Sequence, residues 1–294
     1  MSEPCKILLT YDVPDWAFHN ECLDLMWFLQ RFAPGEFTPT VARSREAPDP
    51  AGFDVVYSSF YFDLRCADHP RSVSQLASHS LWARPEDAWP AALLRWKWLV
   101  TKNLGIHERL DGYHPRVRQL GQQVNPGKWP TAMFHTSAKK MRVGFAGHAK
   151  QGSKGFDLIQ EAVDLSGCCT MGAATYEQEG RISPENMPYF YHALDAYVCM
   201  SKQEGGPRPS LEAMLCGIPL ITTRVGQVGE MVEDGVHALV VERNVDALVD
   251  ALLLLKADPV LGQRLSWNAR QLAYARVMRD GQAWVDFFRE VRDS

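Results

Sequence analysis

No apolar run in the chain approaches the roughly 20 residues that a bilayer-crossing helix needs, and a transmembrane reading is set aside. The seven cysteines (Cys5, Cys22, Cys66, Cys168, Cys169, Cys199 and Cys216) are odd in number, scattered, and form no C-x-x-C pair. A disulfide framework or a zinc site is therefore not expected; reduced thiols and a cytoplasmic setting are. The opening "CKILLTY" follows no basic segment leading into a long apolar stretch, so no signal peptide is expected. Tandem repeats and low-complexity tracts are missing as well. A net charge of −4 forces neither a nucleic-acid nor a membrane reading. One region is unbalanced: Arg95, Lys97, Lys102, Arg109, Arg116, Arg118 and Lys128 face only Glu108 and Asp111 within 95–128. That excess fits either an anionic partner or a solvated face.

What the chain does have is alternation. "KILLTY" (6–11) and "FDVVYSSF" (53–60) read as buried strands, with an amphipathic helix over 17–32 between them whose Cys22, Leu25, Met26 and Leu29 share a face. "PGEFTP" stops that helix. A strand at 71–79, a helix around 87–95 and a strand at 97–103 follow, and a Pro/Gly-containing stretch (115–127) closes the first half. "KKMRVGFAG" (139–147) starts again with a strand ending on glycine. "KGFDLIQEAVDL" is the next helix, with Phe156, Ile159 and Val163 on one stripe. Strands "CCTMGAA", "AYVCMS", "IPLITT" and "ALVV" then alternate with helices "ENMPYFYHAL", "RPSLEAMLCG" and "VGEMVED", and three helical segments form the tail. Such alternation predicts α/β architecture with parallel sheets covered on both faces. Two Rossmann-like halves are expected. "LLRWKWLV" (93–100) could dock on a lipid face or a nucleic acid, but strand packing is the simpler reading of Trp96 and Trp98. "WVDFFREV" is expected to return and pack on the N-terminal half.

Open parallel sheets bind ligands at the carboxyl ends of their strands. "SKQEGGPRPSLEAMLCG" (201–217) lies at such an end. Gly205 and Gly206 let backbone approach a ligand, and Pro207 and Pro209 suit a first helical turn. The helix N-terminus and Arg208 suit phosphate, and Glu204 and Glu212 can accept hydrogen bonds from sugar hydroxyls. Two glutamates at this spacing would be surface charges by themselves. Flanking a phosphate cradle, they outline a nucleotide-sugar site.

"EGGPRPSLEAMLCGIPLITTRVGQVGEMVEDG" closely resembles the donor-binding segment of the family 4 retaining glycosyltransferases of the GT-B fold (glycosyl transferases group 1). It carries Glu204 and Glu212 separated by seven residues, then Cys216, Gly217, Pro219, Ile221, Gly226 and Glu230. "VGFAGHAKQGSKGFDLI" adds Gly147, Lys154 and Gly155, with His148 where the family usually has arginine. The resemblance implies a GT-B arrangement with two Rossmann-like domains around an interdomain cleft. They would comprise an acceptor-side domain over 1–138, a nucleotide-sugar domain over 139–276, and a final helix (277–294) on the first domain. It implies that Glu204 lies against the donor sugar, Glu212 binds ribose, and Lys154 neutralises the diphosphate. Arg208, His148 or the nearby Lys150 would replace the arginine, beside Gly205 and Gly206. Gly147, Ser201, Pro207, Ser210 and Leu211 would line the donor pocket. Asp15 and Trp16 stand on the acceptor side, without the family's usual glycine pair, and His79 falls where many relatives have an active-site histidine.

The implied reaction is retaining transfer from a nucleotide-diphosphate sugar, UDP- or GDP-linked, to an acceptor hydroxyl of a glycan or glycoconjugate. The chain contains no Asp-x-Asp, the usual metal-holding motif of the other major glycosyltransferase fold, and the expectation is that no metal or other cofactor is required. Two alternatives stay open: transfer to a hydroxylated base in DNA, and a catalytically silent nucleotide-sugar-binding partner. Oligomeric state is not legible.

Overall fold

The computed structural model describes residues 3–77, 89–110, 112–131, 139–175 and 180–294. The chain divides into two compact units: Met1–Asn125 with Val277–Ser294, and Pro126–Arg276.

In the first unit, β1 (Cys5–Tyr11), α1 (Ala17–Phe32), β2 (Phe37–Arg43), β3 (Val55–Ser58), α2 (Leu64–Ala67), β4 (Ser72–Leu76), α3 (Trp89–Leu94), β5 (Trp98–Thr101), α4 (Leu104–Leu110) and β6 (Val117–Gln119) follow in order. The six strands form one parallel sheet ordered β2-β1-β3-β4-β5-β6. The apolar run of β1 is explained by burial on both sides, since Ile7, Leu8 and Leu9 are all sealed from solvent. Ile7 and Leu9 pack with Leu25, Phe28, Tyr57, Trp284 and Phe288, whereas Leu8 packs with Val56, Trp96, Leu99 and Ile106 on the other face. Trp284 meets Tyr57 edge to face at 5.6 Å, and its indole N–H donates to the Gly121 carbonyl at 2.9 Å.

The second unit runs through β7 (Met141–Gly147), α5 (Phe156–Ser166), β8 (Cys169–Thr175), α6 (Met187–His192), β9 (Ala196–Cys199), α7 (Arg208–Cys216), β10 (Leu220–Thr222), α8 (Gly226–Met231), β11 (Leu239–Val240) and α9 (Val245–Ala257). Its sheet is also parallel, ordered β11-β10-β9-β7-β8. Val143, Phe145, Val198 and Ile221 of the strands pack against Ile159 and Val163 of α5 and Leu248 and Leu252 of α9. The helix α10 (Pro259–Asp293) begins in this unit and ends in the first.

Three features depart from the sequence expectation. The strand β2 was not foreseen, because Pro39 interrupts its pattern; a proline is tolerated there since β2 forms a sheet edge. The short α2, α4 and β6 lie in segments too brief to show a period. The tail's second and third helical segments are one 35-residue helix, α10, in which Gly281 makes room for the Phe28 ring, 2.2 Å from where an added Cβ would stand. Trp96 and Trp98 are core residues, with the Trp96 indole donating to the Tyr61 carbonyl at 2.9 Å.

Candidate active site

In each sheet the chain lays its second strand on one side of the first and its third strand on the other. The neighbouring strands at that reversal are β1/β3 in the first unit and β7/β9 in the second. Connections leave such a pair in opposite directions, which opens a crevice at the carboxyl ends. Gly147 ends β7 and Met200 follows β9, so the loops carrying Lys154 and Glu204 emerge side by side.

The two loops are held together by backbone contacts. Gly155 has φ +74°, and a Cβ on it would stand 2.4 Å from the Met200 carbonyl oxygen. Only glycine permits this approach, which explains Lys-Gly in physical terms. The Lys202 amide donates to the Ser153 carbonyl at 2.7 Å. Arg243 fastens both loops, its Nε donating to the Met200 carbonyl at 2.9 Å and its Nη2 to that of Gly152 at 3.0 Å. Gly226 opens α8 with φ +56°, and an added Cβ would meet the Gly205 carbonyl oxygen at 2.6 Å. The adjacent Gln227 amide donates to that carbonyl at 2.9 Å.

The charged groups follow from this scaffold. Lys154 Nζ lies 2.7 Å from Glu204 Oε1, and the Ser201 hydroxyl donates to the same oxygen at 2.7 Å. The two side chains are 26% and 14% exposed, so both can still reach a ligand. One turn into α7, Arg208 Nε donates to Glu212 Oε1 at 2.7 Å and the Tyr191 hydroxyl donates to Glu212 Oε2 at 2.9 Å. Burial, reinforced by the negative charge of Glu212, holds the Tyr191 phenol well above its usual pKa. It therefore remains a donor. Burial and the same carboxylate push the Cys216 thiol up to about 12, which makes it a packing residue instead of a nucleophile.

The sequence singled out most of these positions but not their partnerships. Gly147 ends β7, and His148, Lys154, Ser201, Glu204, Gly205, Gly206, Arg208 and Glu212 lie on the β7–α5 loop, the β9–α7 loop and α7. Lys150 is exposed. Pro207, Ser210 and Leu211 are buried. The opening of α7 offers fewer backbone donors than a helix N-terminus usually does. Pro207 and Pro209 have no N–H, and the Ser210 and Leu211 amides donate to the Pro207 carbonyl at 2.9 and 3.4 Å. Arg208 is engaged with Glu212, whereas the sequence alone suggested a phosphate contact. Tyr191 and Arg243 were missed, and nothing in their spacing marks them. Gly226 is accounted for by its backbone contact, and Glu230 is exposed.

In the first unit, Asp15 and Trp16 follow β1 at the reversal. Asp15 has φ +57°, the one left-handed backbone at a non-glycine residue among the described residues. Its amide donates to His19 Nδ1 at 3.0 Å, and His19 stacks on Tyr11 with centroids 4.2 Å apart. His79 lies outside the described residues. Among the described residues no group of three or more His, Cys, Asp or Glu side chains could hold a metal ion, and no helix is long and apolar enough to cross a membrane.

Residues 177–272 match the family model described as glycosyl transferases group 1. The O-antigen chain mannosyltransferase B of Escherichia coli is 37% identical over 98 residues, which is 33% of this chain and 23% of that protein. The match thus spans less than a quarter of the relative's length. Among solved structures, sucrose-phosphate synthase from Thermosynechococcus elongatus superposes with a TM-score of 0.78 at 13% identity, over 98% of this chain and 99% of the other. HepE from Anabaena, in complex with UDP-glucose, superposes with a TM-score of 0.76 at 16% identity, over 97% of this chain and all of the other. Two parallel sheets and a matched segment containing Glu204 and Glu212 thus agree: residues 177–272 are similar to the group 1 glycosyltransferases, and the chain has the GT-B fold.

Proposed function

We propose that the protein transfers a sugar from a nucleotide-diphosphate sugar to an acceptor hydroxyl with retention of anomeric configuration. The observation that carries the reading is the meeting of Lys154 Nζ and Glu204 Oε1 at 2.7 Å, at the crevice where β7 and β9 end. In this reading the Lys154 ammonium shares its charge with a diphosphate, Glu204 contacts the donor sugar, and Glu212 accepts from the ribose. In the reaction, the bond from the anomeric carbon to the diphosphate oxygen breaks while the acceptor oxygen bonds to that carbon on the same face. The acceptor proton passes to the departing diphosphate. The protein's main task is then electrostatic: to stabilise the charge that develops on the leaving group. Lys154 supplies a fixed positive charge for this, and we propose that no metal is required.

A glycan or glycoconjugate acceptor is the reading we favour over a DNA base. The relative named for O-antigen chains supports it. So does the pairing of three of the basic residues in the 95–128 stretch. Arg95 pairs with Asp68, Arg118 with Glu290, and Lys102 is sealed against Glu21. UDP- and GDP-sugars are the proposed donors, HepE being a relative in fold that holds UDP-glucose.

The test is a thermal-shift and transfer screen with UDP-, GDP-, ADP- and dTDP-sugars, since a ligand that binds the folded state raises its apparent stability. At least one donor should stabilise the protein, and Glu204→Ala should abolish transfer while leaving the unfolding temperature nearly unchanged. Stabilisation by none of the four, or transfer that survives Glu204→Ala, would refute the assignment. The coupling constant of the product's anomeric proton reports retention or inversion.

A further inference from the structure

Glu212 is held from two directions. Arg208 stands one turn earlier on the same helix and moves with it. Tyr191 belongs to α6 and fixes the carboxylate relative to the rest of the unit. The Tyr191 ring is completely buried and contacts Trp129, Phe190 and Tyr197 at centroid distances of 5.7, 5.4 and 5.8 Å. Its hydroxyl therefore has little freedom to follow Glu212 elsewhere. A carboxylate oxygen has two lone pairs. With Arg208 donating to Oε1 and Tyr191 to Oε2, the direction of the remaining lone pairs is set by the protein.

We propose that Tyr191 is a positioning residue: it orients Glu212 toward the ribose diol and thereby sets how strongly the site prefers ribonucleotides over 2′-deoxyribonucleotides. This rests on the nucleotide-sugar reading above and on the ribose role of Glu212. A site built to accept from a hydroxyl penalises its loss only when the acceptor is held in place.

The experiment is calorimetric titration of UDP, GDP and their 2′-deoxy counterparts into wild type, Tyr191→Phe, Glu212→Gln and the double variant. Tyr191→Phe keeps the ring and its three aromatic contacts, and thermal unfolding verifies that it folds. Wild type should favour the ribonucleotide by about tenfold or more, as expected for one well-placed hydrogen bond to a charged acceptor. In Tyr191→Phe that ratio should fall to within about threefold, through weaker ribonucleotide binding at constant deoxyribonucleotide affinity. The double variant should show the same ratio as Glu212→Gln alone. An unchanged ratio in Tyr191→Phe, or equal weakening of both nucleotides, would overturn the positioning role and leave Tyr191 a packing residue. Wild type that binds neither nucleotide would overturn the nucleotide-sugar reading itself, and wild type that binds both alike would overturn the ribose role. Both are read before any variant is made.

Discussion

Each unit contains a lysine–glutamate pair near the carboxyl ends of its strands, and the two pairs have opposite fates. In the first unit Lys102, just past β5, lies 2.8 Å from Glu21 of α1, with the side chains 0% and 4% exposed. Glutamines close the surroundings: Lys102 donates to Gln122 and Gln123 at 2.8 and 2.9 Å, Gln122 donates to Glu21 at 2.6 Å, and Gln75 donates to the other Glu21 oxygen. The corresponding pair in the second unit, Lys154 and Glu204, is just as close at 2.7 Å but reaches solvent. Distance therefore does not distinguish a structural ion pair from the one proposed to meet a ligand. Access does. A sealed pair enforces a fold because neither charge can be left alone in a dry interior. A half-open pair can exchange one partner for a ligand at modest cost.

Replacing one lysine at a time should break the symmetry most clearly. Lys102→Met leaves Glu21 charged and buried, and should destabilise the protein by about 3–5 kcal/mol in urea unfolding. Lys154→Met should cost less than about 1 kcal/mol, yet weaken donor binding by roughly tenfold to a hundredfold. Similar losses of stability in both variants would erase the distinction. A smaller effect sharpens it at the backbone. Gly155→Ala forces a Cβ toward the Met200 carbonyl at φ +74°, and should cost about 1–3 kcal/mol while displacing Lys154 from Glu204. Reduced donor affinity alongside reduced stability is the expected signature.

The smallest effect concerns a pair exposed in the manner of Lys154–Glu204 but assigned no ligand. Hydrogen bonds from Arg289, joined by Arg292, hold the Glu36 carboxyl below its usual range. A carboxylate with a depressed folded-state pKa stabilises fully above its unfolded value, and the contribution is lost as pH falls through the folded one. Glu36→Gln should therefore lower stability by at most about 1 kcal/mol at neutral pH. The gap between variant and wild type should close below about pH 4, because an unfolded glutamate titrates near 4.3. A gap that persists in acid would mean that the contact stabilises through packing instead of charge.

Much of the fold was legible because its signals are short-range. Apolar runs such as "KILLTY", broken by glycine, aspartate and proline, announce buried strands wherever they fall. Features set by neighbours were not visible: β2 tolerates Pro39 because it is an edge, and Gly281 within α10 is a site of close packing against Phe28 instead of a helix end. The candidate site divides in the same way. Arg208 and Glu212 are one helical turn apart, so their meeting could be read from spacing. Tyr191 is 21 residues from Glu212 and gave no signal.

By itself the sequence determined the alternation of strands and helices, the glycines at the crevice, and the two glutamates with their lysine, since each is written in local pattern or fixed spacing. Only the tertiary structure decided that Lys154 meets Glu204 across 50 residues, that Tyr191 and Arg208 share Glu212, and that Lys102 is sealed against Glu21. The physical reason is that parallel strands return to the same end of a sheet only through long crossovers. Which side chains meet there is set by strand order and packing, quantities that no short stretch of sequence contains.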